Sequence, residues 1–325
     1  MAIVTNTFTT YSAKGIRENL SNIIYNISPE ETPFQSNIGK ESAQSTLYEW
    51  QTDALQAAAT NAQLEGDDIG TYDPVTATVR MQNYCQISRK TVVLSATEEV
   101  VNKAGRKSEL AYQLAKKGAE LKRDMELVMV QSQVASAGTT SAARTTGSVL
   151  AFIKTNTDVG TSGVDPSYTT LPNSLRTDGT VRTFTETILK NVIQKTWTSG
   201  GTPKILMTGP VNKQRVSGFA GIAATRYNIE DGAKPATIVG AADVYLSDFG
   251  TLSVVPNRFM SADADDDGEV AFVLDPEYAS IAYLRPFATN ELAKTGDSEK
   301  TQLLVEYTLE VKNEKAHAII ADLAE

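Results

Sequence analysis

A two-residue alternation of apolar side chains runs through Thr46 to Leu94, and it constrains this chain more than any other feature. Leu47-Tyr48-Glu49-Trp50-Gln51 forms one arm; Val75, Ala77, Val79 and Met81, continuing to Tyr84, form the second. Between them Gln56 to Asp73 is rich in alanine and acidic, with Glu65, Asp67 and Asp68 at its centre. Such a period places alternate side chains on opposite faces of a β-hairpin. A two-stranded ribbon is at best marginally stable alone in water, so Trp50, Tyr84 and the valine row need an outside surface. The expected surface is a second copy of the chain, which makes the hairpin an assembly arm. Removing Trp50 is then expected to leave a folded subunit that fails to assemble.

At 325 residues the chain holds two domains, or one with extensions. Its 30 basic and 39 acidic side chains give a net charge of −9, which argues against tight, sequence-independent binding to nucleic acid. One cysteine, Cys85, excludes an intrachain disulfide and a multi-cysteine zinc site. No apolar run approaches the ~18 residues of a membrane span, and the start lacks a signal-peptide pattern, so a protein made in a cytoplasm is expected.

Residues 1–45 read as an arm with one short helical stretch, Ile16 to Tyr25, ended by Pro29 and Pro33. Residues 46–94 are the hairpin. Ser95-Ala96-Thr97-Glu98 has capping-box spacing and opens a helix to about Gly105. Ser108 starts the longest helix, to about Ala135, with Leu110, Leu114, Leu121, Met125 and Val128 as its apolar stripe. Its Lys and Glu residues read as a solvated face with (i, i+4) pairs. Residues 155–182 form a loop long enough to suggest interface or surface duty. Thr183 caps an amphipathic helix to Trp197; a strand at Lys204 to Thr208 and a helix from Pro210 follow. Further strands are expected at Thr237–Val239, Asp243–Leu246, Leu252–Val255, Val270–Leu274, Ser280–Leu284, Gln302–Val311 and Ala316–Ala321. A helix-rich half and a strand-rich half without regular alternation indicate an α+β fold.

Few motifs suggest chemistry. Asp263, Asp265 and Asp267 with Gly268 match the first half of a calcium loop, but Leu274 stands where a bidentate Glu belongs, so a polar turn is the preferred reading. The single histidine, His317, lies on an expected strand with no Gly-x-Ser-x-Gly elbow. Walker and dinucleotide-binding fingerprints are absent. No catalytic residue and no cofactor is expected.

The order of arm, long hairpin, long helix, mixed domain and late strands resembles the major capsid proteins of tailed bacteriophages with the Hong Kong 97-like fold. Several motifs resemble one such family: Glu49-Trp50-Gln51-x-Asp53-x-Leu55 with Glu65-Gly66, Arg80-x-x-Asn83-Tyr84-x-Gln86-Ile87, and Glu120-Leu121-Lys122-Arg123-Asp124-x-Glu126. So do Pro256-Asn257-Arg258-Phe259, Tyr283-Leu284-Arg285-Pro286-Phe287 and Leu292-Ala293-Lys294-Thr295-Gly296-Asp297.

The resemblance implies an N-terminal arm (1–45), an extended hairpin loop (46–94) and a peripheral domain (95–182) with a spine helix at about 108–135. An axial domain (183–275) and return strands of the peripheral sheet (276–325) complete it. It implies a coat protein forming pentamers and hexamers of an icosahedral or prolate shell, assembled in the host cytoplasm, with packaged DNA held inside without sequence-specific contacts and with no membrane partner. Scaffolding is expected as a separate protein, beside portal and decoration proteins. No lysine lies between Lys40 and Lys90, so the covalent weld of some such shells is not expected. Expected interface residues are Trp50 and Tyr84 as aromatic anchors, and Glu65, Asp67 and Asp68 facing Arg80, Arg258, Arg285 or Lys294 of a neighbour. The alternatives are a nanocompartment (encapsulin-like) shell, a tail or baseplate protein, and an acid-carboxylate hydrolase.

Overall fold

Two β-sheets and a separate ribbon divide the strands of this protein. The computed structural model describes residues 31–66, 68, 72–101, 108–219, 243–260, 269–294 and 296–324. The expected helix at Ile16 to Tyr25, the strand at Thr237–Val239, Asp67, and the turn carrying Asp263, Asp265 and Asp267 lie outside them.

In chain order the first elements are α1 (Pro33–Asn37), β1 (Gly39–Ser42), β2 (Leu47–Thr52), β3 (Val79–Tyr84) and β4 (Gln86–Ser95). Then come α2 (Ala96–Val100), α3 (Glu109–Val130), α4 (Val149–Phe152) and β5 (Thr157–Asp158). After these follow α5 (Glu186–Thr198), β6 (Ile205–Thr208), α6 (Pro210–Ser217), β7 (Val244–Ser247) and β8 (Gly250–Pro256). The chain ends in β9 (Glu269–Leu274), β10 (Ala279–Glu291), β11 (Ser298–Val311) and β12 (Ala318–Leu323).

Side-chain caps set three helix starts. Ser95 Oγ accepts from Glu98 N and Ser108 Oγ from Ala111 N, each at 3.2 Å. The cap of α5 is Thr185, whose Oγ1 accepts from Ile188 N at 3.4 Å, and not Thr183, because Thr185 is the extended residue directly before the first turn. α3 stops at Val130, short of Ala135, because Gln131 is extended. At 22 residues it is about 33 Å long. Its buried stripe is Leu121, Met125, Met129 and Val130, while Leu110, Leu114 and Val128 are half-buried.

The four-stranded sheet has the order β1-β10-β11-β4 and the six-stranded sheet β5-β12-β9-β6-β8-β7. β6, β9 and β12 are apolar along almost their whole length because both faces of their sheet are covered. Met207, Phe272 and Ile319 face a core shared with α3, α4 and the four-stranded sheet. Leu206, Val273 and Ile320 face a second core with Leu189 and Ile193 of α5.

Three expectations are corrected here. β12 does not return to the sheet of β10 and β11; it pairs with β9 and β5. Residues 155–182 are not a free surface loop: Gly160 N and Gly179 N donate to the buried Asp322 carboxylate at 2.6 and 2.9 Å, and Arg182 N donates to Asp322 O at 2.8 Å. The arms at 46–94 are not one hairpin either. Among the described strands β2 pairs only with β3, from Leu47↔Tyr84 to Thr52↔Val79, and after Cys85 the chain enters β4, which pairs with β11.

Candidate assembly surface

The β2–β3 ribbon has a docked base and a free tip. At the base Met81 is buried in the main core, and Trp50 packs against that core with its ring 5.8 Å from Phe152 and 6.0 Å from Tyr48. The expectation that Trp50 needs a neighbour is thereby corrected, since its own chain covers much of the ring. Tyr84 is half-buried at the end of β3, beside Asn83.

Asn83, which entered the sequence analysis only within a family-like motif and with no role, pins the ribbon. Fully buried, its Nδ2 donates to Leu309 O (2.6 Å) and Gly147 O (3.3 Å), and its Oδ1 accepts from Gly147 N (2.8 Å). The signal was an asparagine in phase with the apolar Met81 and Val79 side of the ribbon's end, where a short amide is out of place unless it is hydrogen-bonded.

Beyond Thr52 and before Val79 the described residues form no strand or helix. Leu55 (99 % exposed), Leu64, Tyr72 and Val75 (98 %) all face solvent. Large apolar side chains exposed together on one projecting segment mark an interaction surface. Glu65 and Asp68 are exposed on the same segment. Residues 53–78 contain five acidic and no basic side chains, so the tip is uniformly negative.

The cations expected to meet it are distributed differently from one another. Arg80 pairs with Glu49 across the ribbon at 3.7 Å, and Lys294 with Glu299 at 3.1 Å; both pairs are exposed and correspondingly weak. Arg285 is committed: its Nε donates to Glu306 at 2.7 Å, while Arg144 holds the other oxygen of that buried carboxylate at 2.6 Å. Freeing Arg285 would leave Glu306 with half its compensation, so Arg285 is a poor partner for another chain. Arg258 is exposed on a 3-10 turn, Arg258–Met260.

Where β1 enters its sheet, Lys312 holds Glu41 at 2.8 Å, and Ser280 Oγ donates to Glu310 at 2.5 Å. The hydrogen bond from Lys312 lowers the Glu41 pKa, whereas burial raises that of Glu310. Another buried acid, Glu126 on α3, was named in sequence only within a motif and without a role. It accepts from Phe34 N (2.7 Å), Gln35 N (3.1 Å), Gln35 Nε2 (3.2 Å) and Asn257 Nδ2 (2.8 Å). Burial raises its pKa against those four donors.

The groups that most often perform chemistry are committed to structure. The Cys85 thiol is buried, donates to Ser45 O at 3.4 Å and is pushed up to about 11 by burial. Both ring nitrogens of the buried His317 sit against backbone groups. Among the described residues, no helix is long and apolar enough to cross a membrane.

A ribbon with a docked base and projecting tip, beside a spine helix and two sheets, is the geometry expected of a coat subunit. Residues 3–324 match the description SU10 major capsid protein. The chain belongs to that capsid protein family. The major capsid protein of Escherichia phage Phieco32 is 28% identical over 348 residues, covering 96% of each sequence. Among solved structures, the Cyanophage A-1(L) capsid asymmetric unit aligns with a TM-score of 0.70 at 12% identity, over 99% of this chain and 100% of that one. A Gordonia phage Cozz chain gives 0.61 at 12% identity, covering 99% and 97%. The SrpI encapsulin of Synechococcus elongatus PCC 7942 gives 0.55 at 10% identity, over 94% and 93%. The α+β fold of this capsid protein is therefore shared with phage coats and with an encapsulin. Its function is that of a phage major capsid protein, which implies association with its own copies.

Proposed function

We propose that this capsid protein forms pentamers and hexamers of a closed icosahedral or prolate shell, with the ribbon tip of each subunit laid on an adjacent one. The observation that carries this reading is the tip itself: Leu55, Leu64, Tyr72 and Val75 are exposed on a segment that the other described residues leave uncovered. Burying four such side chains against a neighbour stabilises the contact by roughly 1.5–3 kcal/mol each before ordering costs. Contacts of this kind are heterologous, and repeated around a ring they close. Closure multiplies modest contacts into a durable shell.

In this reading the four-stranded sheet with α3 is the peripheral domain. The six-stranded sheet, including β12, is the axial domain, whose copies meet around the ring axes. Glu65, Asp67 and Asp68 face cations of the neighbour, with Arg80, Arg258 and Lys294 as candidates. Trp50 and Tyr84 shape the ribbon base. The inner surface encloses DNA without sequence-specific contacts. Scaffolding, portal and decoration proteins are separate chains, and assembly takes place in the host cytoplasm. No step requires bond-making chemistry, a metal or a cofactor.

Electron microscopy of the purified protein tests the proposal. Uniform closed shells, or rings of five and six subunits, are expected. Tubes, open rings of other symmetry, or monomers at all concentrations would overturn it. Shells that enclose an enzyme in place of DNA would favour the nanocompartment reading.

A further inference from the structure

Among the described strands, the backbone passes between the two sheets three times: from β4 through α2–α4 to β5, from β9 to β10, and from β11 to β12. The three crossings meet at one residue. The second and third run side by side, with Lys312 N donating to Tyr278 O at 2.9 Å. His317, 1 % exposed, lies between them. Asp275 N donates to its Nδ1 at 3.3 Å, so that nitrogen carries no proton. Nε2 then carries the proton and donates to Tyr278 O, also at 3.3 Å. The first crossing closes on the same point. Asn156 Nδ2 donates to Lys315 O (2.7 Å) and His317 O (3.3 Å), and Glu314 accepts from Thr155 N (3.2 Å) and Thr155 Oγ1 (2.5 Å).

Within each sheet the strand ladders fix the geometry. Between the sheets the common core is apolar apart from the Glu126–Asn257 link, and apolar contact is non-directional: it resists separation but tolerates sliding. Directional bonds at the crossings are what set an angle.

We propose that the His317 imidazole is a clasp that fixes the angle between the two sheets, holding the β9–β10 and β11–β12 crossings as one rigid joint while it is neutral and releasing them from each other when it is protonated or removed. Protonation would turn Nδ1 from an acceptor into a donor pointed at the Asp275 N–H, setting two donors against each other. Burial favours the neutral ring and pushes its pKa down to about 4.

Several charged groups surround the joint. From the β9–β10 crossing come Asp275 and Glu277, both beside Lys204 of the segment before β6. From the β11–β12 crossing come Lys312, which is paired with Glu41, then Glu314, and the exposed Lys315. Lys154 of the first crossing donates to Tyr168 O. Glu314 is itself one of the joint's bonds, so the response of the ring's own proton is read as the difference between wild type and a variant without the ring.

Hydrogen exchange on the full chain tests this, comparing wild type with His317→Phe at neutral pH and near pH 4. In a folded variant, exchange across Asp275–Tyr278 and Lys312–His317 should rise about tenfold, the equivalent of ~1.4 kcal/mol of local opening, with β9 and β11 unchanged. Wild type should show the same local rise on acidification, after correction for intrinsic rates, and the variant should lose that response. Unchanged exchange at the crossings, or a uniform rise over both sheets, would overturn the proposal. Should His317→Phe not fold, the wild-type acidification series decides alone by the same two outcomes. The readout does not depend on assembly, so it fails or holds independently of the shell reading.

Discussion

Asn83 concentrates the docking of the ribbon into one side chain. Asn83→Ala would strand Gly147 N and the carbonyls of Leu309 and Gly147 inside the protein. Each unsatisfied buried group costs about 1–3 kcal/mol, so a loss of roughly 3 kcal/mol is expected, read from the urea midpoint at unchanged slope. Trp50→Ala should destabilise the subunit itself by about 3 kcal/mol, because the ring packs on Phe152 of its own core. A thermal melt of unassembled protein checks this; an unchanged melt would restore Trp50 to a purely intersubunit role. His317 makes a pH prediction with a definite sign. Its pKa is near 6.5 when unfolded and about 4 when folded, so between those values the unfolded chain binds more protons and stability falls as acid is added. The loss saturates on the order of 3 kcal/mol. Glu126 and Glu310, raised by burial, carry the opposite sign, so their contribution must be subtracted. The contrast between wild type and His317→Phe does so: the gap between their stability curves should narrow from neutral pH toward pH 4.

Among the elements, α1 has five residues, too few to hold a helix unaided. Glu126 of α3 supplies the missing acceptors, and Phe34 is buried beneath. Glu126→Leu should free this segment: limited proteolysis between residues 31 and 45 is expected to accelerate about tenfold while the sheets remain protected. Elements resting on local chemistry were legible in sequence, as Ser95, Ser108 and the stripe through Leu121 and Met125 demonstrate. Those resting on distant partners were not. β10 reads in sequence as Ser280–Leu284, yet it runs past Pro286 to Glu291. Register shifts between Tyr283 and Ala288 accommodate the proline, and β1, paired only as far as Tyr283, leaves that edge free of a partner that would need its N–H. The family resemblance also placed β12 with the other late strands in the peripheral sheet. Its alternation of Ile319 and Ile320 into two different cores identifies it as an inner strand of the other sheet.

At the scale of the whole molecule, the subunit's stability and its capacity to assemble reside in different parts. The two cores are built from the sheets, α3, α4 and α5, and none of the exposed tip residues Leu55, Leu64, Tyr72 and Val75 contributes to them. Replacing residues 55–75 with a short glycine-containing turn should leave the melting transition and the α+β circular dichroism of the subunit unchanged while abolishing closed particles in micrographs. Particles of normal yield from that variant would place the decisive contact elsewhere. A subtler change separates the tip's charge from its apolar surface. Glu65→Gln, Asp67→Asn and Asp68→Asn together keep every apolar contact and remove three of the five negative charges on residues 53–78. If those charges steer the tip toward cations of a neighbour, the variant should assemble more slowly than wild type at low ionic strength. The difference should disappear near 1 M salt, where the screening length is about 3 Å. Light scattering during assembly measures both rates. Equal rates at low salt would leave burial of the four apolar side chains as the driving term. Equal deficits at both salts would instead trace the effect to lost hydrogen bonds, since a direct bond at contact distance is far less sensitive to screening than steering across solvent.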